Sequence, residues 1–425
     1  MEDLLFLAQR CPYPPNKGDK ITTWNILKHL GARYRIHLGT FIDDPVDWQH
    51  EAVLRDNFAS VMLRPMGRSA GLTRAASGLL TGAALSVAYY RDAAMQRWVD
   101  DRLADGIRRV FVYSSAMARF VLNASGCQRA MHFADIDSDK WRQYAGASRW
   151  PMSWVYAREA DTLLAWERRI AATFDRSFFI SAAETADFHR MAPESAAKVG
   201  VLSNGVDGGY FAPRPDYPNP YPDAVPRVVF TGAMDYRPNI DAVAWFAQEV
   251  LPRLQRQFGP VHFCIVGSRP AAEVQALATD PHVQVTGRVD DVRPYVAHAG
   301  VVVAPLRIAR GIQNKVLEGM AMAKTVVCTP QGLEGIDAEP GRSLLVAGDA
   351  DEFAAVCARV LRGDVDLGQA ARDCMLARYD WNAALSVLDT LFDGADPAAW
   401  PARAAAANPP ALDHATPHGI GSRTT

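Results

Sequence analysis

The feature that most constrains this chain is a pattern that occurs twice. Short apolar runs alternate with longer segments of helical periodicity, and the series is interrupted once. In the first series the runs are LLFLAQ, RIHLGTF, SVMLR, RRVFVYS, RAMHFADI, RSFFISA and KVGVLSNG. In the second they are RVVFTGAM, VHFCIVGS, VQVTGRV, GVVVAPL, TVVCTP and SLLVAG. Short strand-length runs with little polar alternation read as strands buried on both faces of a parallel sheet. The segments between them predict helices over 21–30, 89–103 and 154–172, then over 240–258, 271–278, 350–362 and 366–379. Strand–helix alternation of this kind winds helices over both faces of an open sheet. The interruption, 207–227, is dense in Pro and Gly and lacks periodicity, as a linker does.

The expected fold is therefore α/β, with two doubly wound domains. With 425 residues the chain is too long for one ordinary core. The predicted division is 1–206, a linker at 207–227, a second domain at 228–380, and a closing helix at 381–394 returning to the first domain. The Ala- and Pro-rich segment 395–425 reads as a disordered tail. A net charge of −2 provides no basic field for nucleic acid. The six cysteines form no CxxC pair and no zinc spacing, so a reducing cytosol is expected. The N-terminus, acidic at its start, does not read as a signal peptide. Segment 69–90 is weakly polar, but Arg74 interrupts it, which argues against a membrane span. With Arg64, Arg68 and Arg91 nearby, it reads either as an interfacial segment or as a loop and helix on a soluble domain.

In open parallel sheets, ligands bind beyond the carboxyl ends of the strands, so the loops after strands carry the functional reading. GVVVAPL is followed by RGIQNKVLEGM. A helix starting there presents free N–H groups and the positive end of its dipole. Lys315 in the first turn opposes that dipole unless an anion is present. Glu318 lies three residues on, on the same face. An amine for phosphate and a carboxylate for hydroxyls suit a nucleotide sugar; a plain surface pair is the alternative. Arg237 follows another strand and suits bidentate phosphate binding. Gly287 ends a third strand, either as a simple turn or as a place where the backbone of Arg288 and Val289 can read a nucleobase edge. Gly18 lets the backbone of the first loop approach a ligand.

The loop MHFADIDSDK carries His132, Asp135, Asp137 and Asp139. Alternating Asp residues are one pattern of a metal site. Ser138 and Asp139 equally make a helix cap and first-turn acid, and Asp137 or His132 suits hydrogen bonding to an acceptor hydroxyl. The tract 140–159 interleaves Trp141, Trp150, Trp154 and Tyr156 with Arg142, Arg149 and Arg158. It reads as a surface for sugars or lipid headgroups, or as a helical core face with basic rims. No GxSxG, HExxH or P-loop is present, and no GxGxxG opens a first helix.

These motifs together resemble the retaining glycosyltransferases of family 4, of the two-Rossmann-domain (GT-B) type. The resemblance rests on PPNKGDK, NGVD, FTGAMDYRPNIDAVAWF, FCIVGS, VTGRVDDVRPYVAHAGVVVAPL, KVLEGMA and YDWNAA, and reaches to about Leu391. PPNKGDK and DIDSDKWRQYA are most similar to transferases associated with PEP-CTERM/exosortase exopolysaccharide systems. The resemblance implies a metal-independent hexosyltransferase with two facing domains and an interdomain cleft. It needs no cofactor beyond its nucleoside diphosphate sugar donor. Glu318 would bind the ribose, Lys315 and Arg237 the diphosphate, and Gly18 would shape the loop beside it. Gly232, Arg288, Val289, Arg310, Gly311 and Ile312 complete the expected donor side. His132 or Asp137 would lie near the reacting carbon. Arg310 stands where the family often has a first glutamate, and no lysine follows Arg237 as it often does.

The acceptor implied is a glycan or a polyprenyl-linked glycan, with no nucleic acid partner. The expected location is cytoplasmic, with peripheral contact to the inner-membrane surface. A nucleotide-sugar 2-epimerase, or a non-catalytic sugar-nucleotide binding protein, would use the same architecture.

Overall fold

The computed structural model describes residues 1–309 and 311–393. Arg310 and the tail at 395–425 therefore lie outside the described residues. Each apolar run forms a strand. The first series gives β1 (Glu2–Ala8), β2 (Tyr34–Ile42), β3 (Ser60–Pro65), β4 (Arg109–Tyr113), β5 (Gln128–Ala134), β6 (Arg176–Phe179) and β7 (Val199–Val201). The second gives β8 (Arg227–Thr231), β9 (His262–Val266), β10 (Val283–Val285), β11 (Val301–Ala304), β12 (Val326–Cys328) and β13 (Leu345–Val346).

The strands make two sheets, ordered β3-β2-β1-β4-β5-β6-β7 and β10-β9-β8-β11-β12-β13. All their pairings are parallel. Each sheet starts near its middle, winds to one edge, then crosses to wind toward the other. The reversal falls between β1 and β4 and again between β8 and β11. Loops leave in opposite directions there and open a crevice at the carboxyl ends.

Alternation along the central strands explains why both faces must be apolar. Leu4 and Phe6 join Ile26, Leu27 and Phe111 in one core cluster. Leu5 and Leu7 join Met95, Val99, Val110 and Ile170 in the cluster on the opposite face. The second sheet divides the same way: Val228 and Phe230 pack into one cluster, Val229 and Cys264 into the other.

Two local expectations are corrected. The helix predicted over 89–103 is two helices, Leu85–Tyr89 and Ala93–Ala104, because the Asp92 side chain accepts from the Met95 N–H and starts a new one. The helix predicted over 240–258 begins at Arg237 and widens into a longer turn at Phe246–Val250, just before Pro252 withholds its N–H. The segment 207–227, read as a linker, runs between the two sheets and packs on the second. Tyr221 is buried, and Phe211 and Tyr217 pack on the second core.

Near its end the described chain returns to the first sheet. Trp381, Leu385, Leu388 and Phe392 pack in the cluster that contains Leu4 and Phe6. His29 meets Asp389 at 2.8 Å, and the strand-like residues Val206 and Asp380 bridge where the chain passes between the two sheets.

Candidate functional site

The strand ends at the two reversal points gather the polar residues. On the second sheet, Lys315 lies in the first turn of the helix Asn314–Ala321, which starts beyond β11. The helix buries Val316, Leu317 and Met320 against the sheet, which leaves Lys315 and Glu318 half-buried at its upper edge. The Lys315 Nζ donates to Asn239 Oδ1 at 3.0 Å and stands 5.4 Å from the Phe230 ring centroid. Among the described residues, no carboxylate lies within ion-pair distance of it. Burial brings its pKa down to about 8, with the charge of Glu318 opposing the shift. Burial likewise pushes Glu318 up to about 6, opposed by Lys315. Both groups thus sit where their charged forms are short of stabilising partners.

Asn239 was not singled out from the sequence. It is buried at 3% exposure in the helix Arg237–Trp245, and its Nδ2 donates to the Ala233 carbonyl at 2.9 Å. An Asn beside the Pro of a helix start carries no local sign of this role. Gly232 makes room for it: a Cβ there would stand 2.7 Å from Asn239 Nδ2 and 3.5 Å from Lys315 Cε. Gly267, at the end of the neighbouring strand, is tighter still, since a Cβ would lie 1.6 Å from the Gly232 carbonyl oxygen. Gly267→Ala must therefore push two strand ends apart. The expected loss is about 3 kcal/mol of stability, the upper part of the overpacking range, together with weakened nucleotide binding. Thermal unfolding and a nucleotide titration check this; an unchanged melting temperature contradicts it.

Arg237 is held elsewhere. Its side chain is 73% exposed and its NH1 lies 3.3 Å from Glu273, so the structure does not join its guanidinium to the Lys315 amine. Gly311 takes φ +67°, a left-handed turn that fits glycine, and Gln313 Nε2 donates to its carbonyl at 3.1 Å. Ile312 and Val289 pack on the second core. Gly287 is also left-handed, at φ +68°, and Arg288 beyond it is exposed.

On the first sheet, a cavity of about 130 Å³ lies at the ends of β1, β4 and β5. Arg10, Asp19, Ser114, Asp135, Asp137 and Lys140 line it. Arg10 bridges Asp19 at 3.0 Å and Asp43 at 3.3 Å. Lys140 bridges Asp135 at 2.5 Å and Asp137 at 3.5 Å. Asp139 turns away and accepts from Gln143 at 2.7 Å, so the three alternating Asp residues do not converge. Two non-glycine residues on the rim adopt left-handed backbone, Ser114 at φ 79° and Ala134 at φ 68°. Such conformations cost about 1–3 kcal/mol and concentrate at functional sites.

Asp137 faces this cavity, and desolvation raises its pKa, with Lys140 opposing. The helix Asp137–Ala147 takes its N-terminal hydrogen bonds from an unexpected source. Glu167, fully buried, accepts from the Ser138 N–H at 3.2 Å and from Ser138 Oγ at 2.5 Å. Asp139 is an acid of the first turn, as expected, but Ser138 is not the cap; a carboxylate from the following helix does that work. Gly18 opens the helix Gly18–Gly31, and a Cβ added there would meet nothing within 4 Å.

His132 is corrected outright. It is 0% exposed. Its Nδ1 accepts from the Ala134 N–H at 2.9 Å, and its Nε2 donates to the Leu202 carbonyl at 3.1 Å. Burial brings its pKa down to about 4. A neutral imidazole with both nitrogens committed to backbone joins β5 to the loop after β7 and cannot exchange protons with an acceptor.

Residues 225–363 match the family described as Glycosyl transferases group 1. No match was found among curated protein sequences. Among solved structures, the fold is similar to that of sucrose-phosphate synthase from Thermosynechococcus elongatus, with a TM-score of 0.63 and 17% identity over 92% of this chain and 98% of that one. A glycosyltransferase from Rickettsia africae aligns with a TM-score of 0.61 and 13% identity over 92% and 98% of the two chains. Anabaena HepE in complex with UDP aligns with a TM-score of 0.60 and 17% identity over 92% and 99%. The chain thus has the GT-B fold along nearly its whole length, and the family match over 225–363 supports glycosyl transfer.

Proposed function

We propose that the protein is a retaining, metal-independent glycosyltransferase. It moves a hexose from a nucleoside diphosphate sugar to a glycan or lipid-linked glycan acceptor in exopolysaccharide biosynthesis. The observation that carries this reading is the half-buried Lys315 ammonium, which has a ring and an amide oxygen for neighbours and, among the described residues, no carboxylate within ion-pair distance. A diphosphate supplies the missing charge. The same helix start turns the positive end of its dipole toward it, and Glu318, one turn on, accepts from the ribose hydroxyls. HepE, which shares the fold, is recorded with UDP, with UDP and glucose, and with UDP-glucose.

As the bond between the anomeric carbon and the phosphate oxygen breaks, negative charge grows on the diphosphate. Lys315 and the helix start are already in place to stabilise it, which is why they lower the barrier. Arg237 joins them by leaving Glu273; an exposed ion pair of that kind holds it by no more than about 1 kcal/mol. Asp137 accepts a hydrogen bond from the acceptor hydroxyl in the cavity on the first domain. Closure of the domains excludes water from the sugar.

The test presents UDP-, GDP- and ADP-hexoses with a saccharide acceptor. One donor at a hundred times its dissociation constant stabilises the fold by about 2.7 kcal/mol. The product carries the donor's anomeric configuration by NMR. An inverted product refutes retention, and binding without transfer to any acceptor refutes the enzyme.

A further inference from the structure

Of the twelve large hydrophobic side chains exposed among the described residues, five come from one corner of the first domain: Leu79, Tyr144, Trp150, Met152 and Trp154. Four of these belong to the helical hairpin formed by Asp137–Ala147 and Met152–Thr173. The two helices run antiparallel, as three contacts in reverse register show. Ser138 bonds Glu167, Arg142 bonds Asp161 at 2.9 Å, and the Tyr144 ring meets that of Tyr156 at 6.2 Å. The inner face of the hairpin is satisfied, with Trp141 packed against Val87 and Leu163.

The tip stands clear of the sheet. The first helix leaves the carboxyl end of β5, at the cavity, and its 11 residues rise about 16 Å. The second returns over 22 residues, about 33 Å, to the opposite end of β6. A seven-residue strand spans only about 23 Å. The turn therefore projects on the cavity side, carrying Trp150 at 82% and Trp154 at 59% exposure. Arg158, one turn along from Trp154, donates to the carbonyls of Gly78 and Ala83, which brings Leu79 to the same flank.

We propose that this tip seats the enzyme on a bilayer surface carrying anionic headgroups, with the cavity held beside it. Trp and Tyr favour the lipid–water interface. From Lys140 to Arg158 the chain carries four cations and no acidic residue; Lys140 and Arg142 are paired with Asp135 and Asp161, which leaves Arg149, at the turn, as the cation that faces a headgroup. Among the described residues, Arg149 forms no ion pair. Such segments are drawn to anionic lipid. A second copy of the chain fits less well, since a specific interface needs about 800 Å² from each partner and a projecting turn offers far less. The seat rests on the proposed lipid-linked acceptor only for its purpose, since the acceptor would then reach Asp137 from the membrane.

The test uses the full chain and vesicles of phosphatidylcholine with or without phosphatidylglycerol. The protein co-sediments with the anionic vesicles. Trp150→Ser and Trp154→Ser each reduce the partition coefficient roughly tenfold. Arg149→Glu reduces it on anionic vesicles alone. All three variants keep transfer to a water-soluble acceptor. Failure of the parent protein to sediment overturns the proposal, and so does indifference to the Trp changes. A concentration-dependent dimer abolished by the same changes assigns the tip to a second copy. Loss of soluble transfer without loss of sedimentation assigns it to the glycan. Absence of transfer by every form, with vesicle binding intact, counts against the transferase reading and not against the seat.

Discussion

Lys315→Ala lowers kcat by about 10²–10³-fold, the effect of removing one pre-placed donor from a developing negative charge, while the melting temperature stays level or rises. The two halves of this result have one cause. The ammonium is desolvated, which is why its pKa falls to about 8, and an unliganded fold gains little from holding it. Its hydrogen bond to Asn239 is worth about 1 kcal/mol, and loss of that bond is offset by relief of the buried charge. Only the anionic ligand makes the group profitable. Lys315→Arg is no rescue, because the larger guanidinium must displace Asn239 from its place over Gly232. Steady-state kinetics and thermal unfolding on the same preparation check the pair of effects. Unchanged turnover removes Lys315 from the chemistry, and a collapsed melting temperature makes it structural.

Glu318→Gln weakens nucleoside diphosphate binding by about ten- to a hundredfold, as expected for hydrogen bonds to a charged acceptor. It also reshapes the pH dependence. In the parent protein Glu318 must be ionised to accept from the ribose diol. Its carboxyl titrates at about 6, so affinity falls as pH drops through 6. Lys315 must be protonated to meet the diphosphate. It titrates at about 8, so affinity falls as pH rises through 8. Binding is therefore tightest between these values. A bound diphosphate raises the pKa of Lys315, so binding near pH 8 and above takes up a proton. The other group close to Glu318 is the Tyr210 phenol, whose pKa is raised by burial and by nearby Asp291, and it stays neutral throughout. Calorimetry across pH, in buffers of different ionisation enthalpy, measures the affinity and the proton together. In Glu318→Gln the acid limb disappears and the alkaline limb remains; a variant that keeps both limbs removes Glu318 from the ribose.

Particular residues show how far the sequence reading reaches. Lys315 and Glu318 were legible because helical spacing puts them on one face, and a cation in a first turn is anomalous without an anion. Asn239 was not legible, since nothing local says that its amide crosses from one strand loop to a lysine 76 residues later. The cavity on the first domain was legible only in fragments. Arg10 follows β1, Ser114 follows β4 and Asp135 follows β5, and the sheet order alone makes these loops neighbours.

His132 shows the opposite failure. Its place in a polar loop after a strand pointed to chemistry. Its side chain instead turns inward, where Leu202 and Ala134 take both nitrogens. The aromatic tract divided: Trp141 went to the core and Trp150 to the surface, because the hairpin packs only its inner face.

The amino-acid pattern by itself determined thirteen strands, their parallel pairing, the division into two sheets and the helix that presents Lys315. Apolar runs and helical periodicity are local properties, and burial on both faces follows from them. Tertiary structure alone decided which strand ends became neighbours, whether a polar side chain met solvent or backbone, and that Gly267 must stay bare beneath Gly232. Those outcomes depend on distances between residues far apart in the chain, and no local pattern encodes a distance.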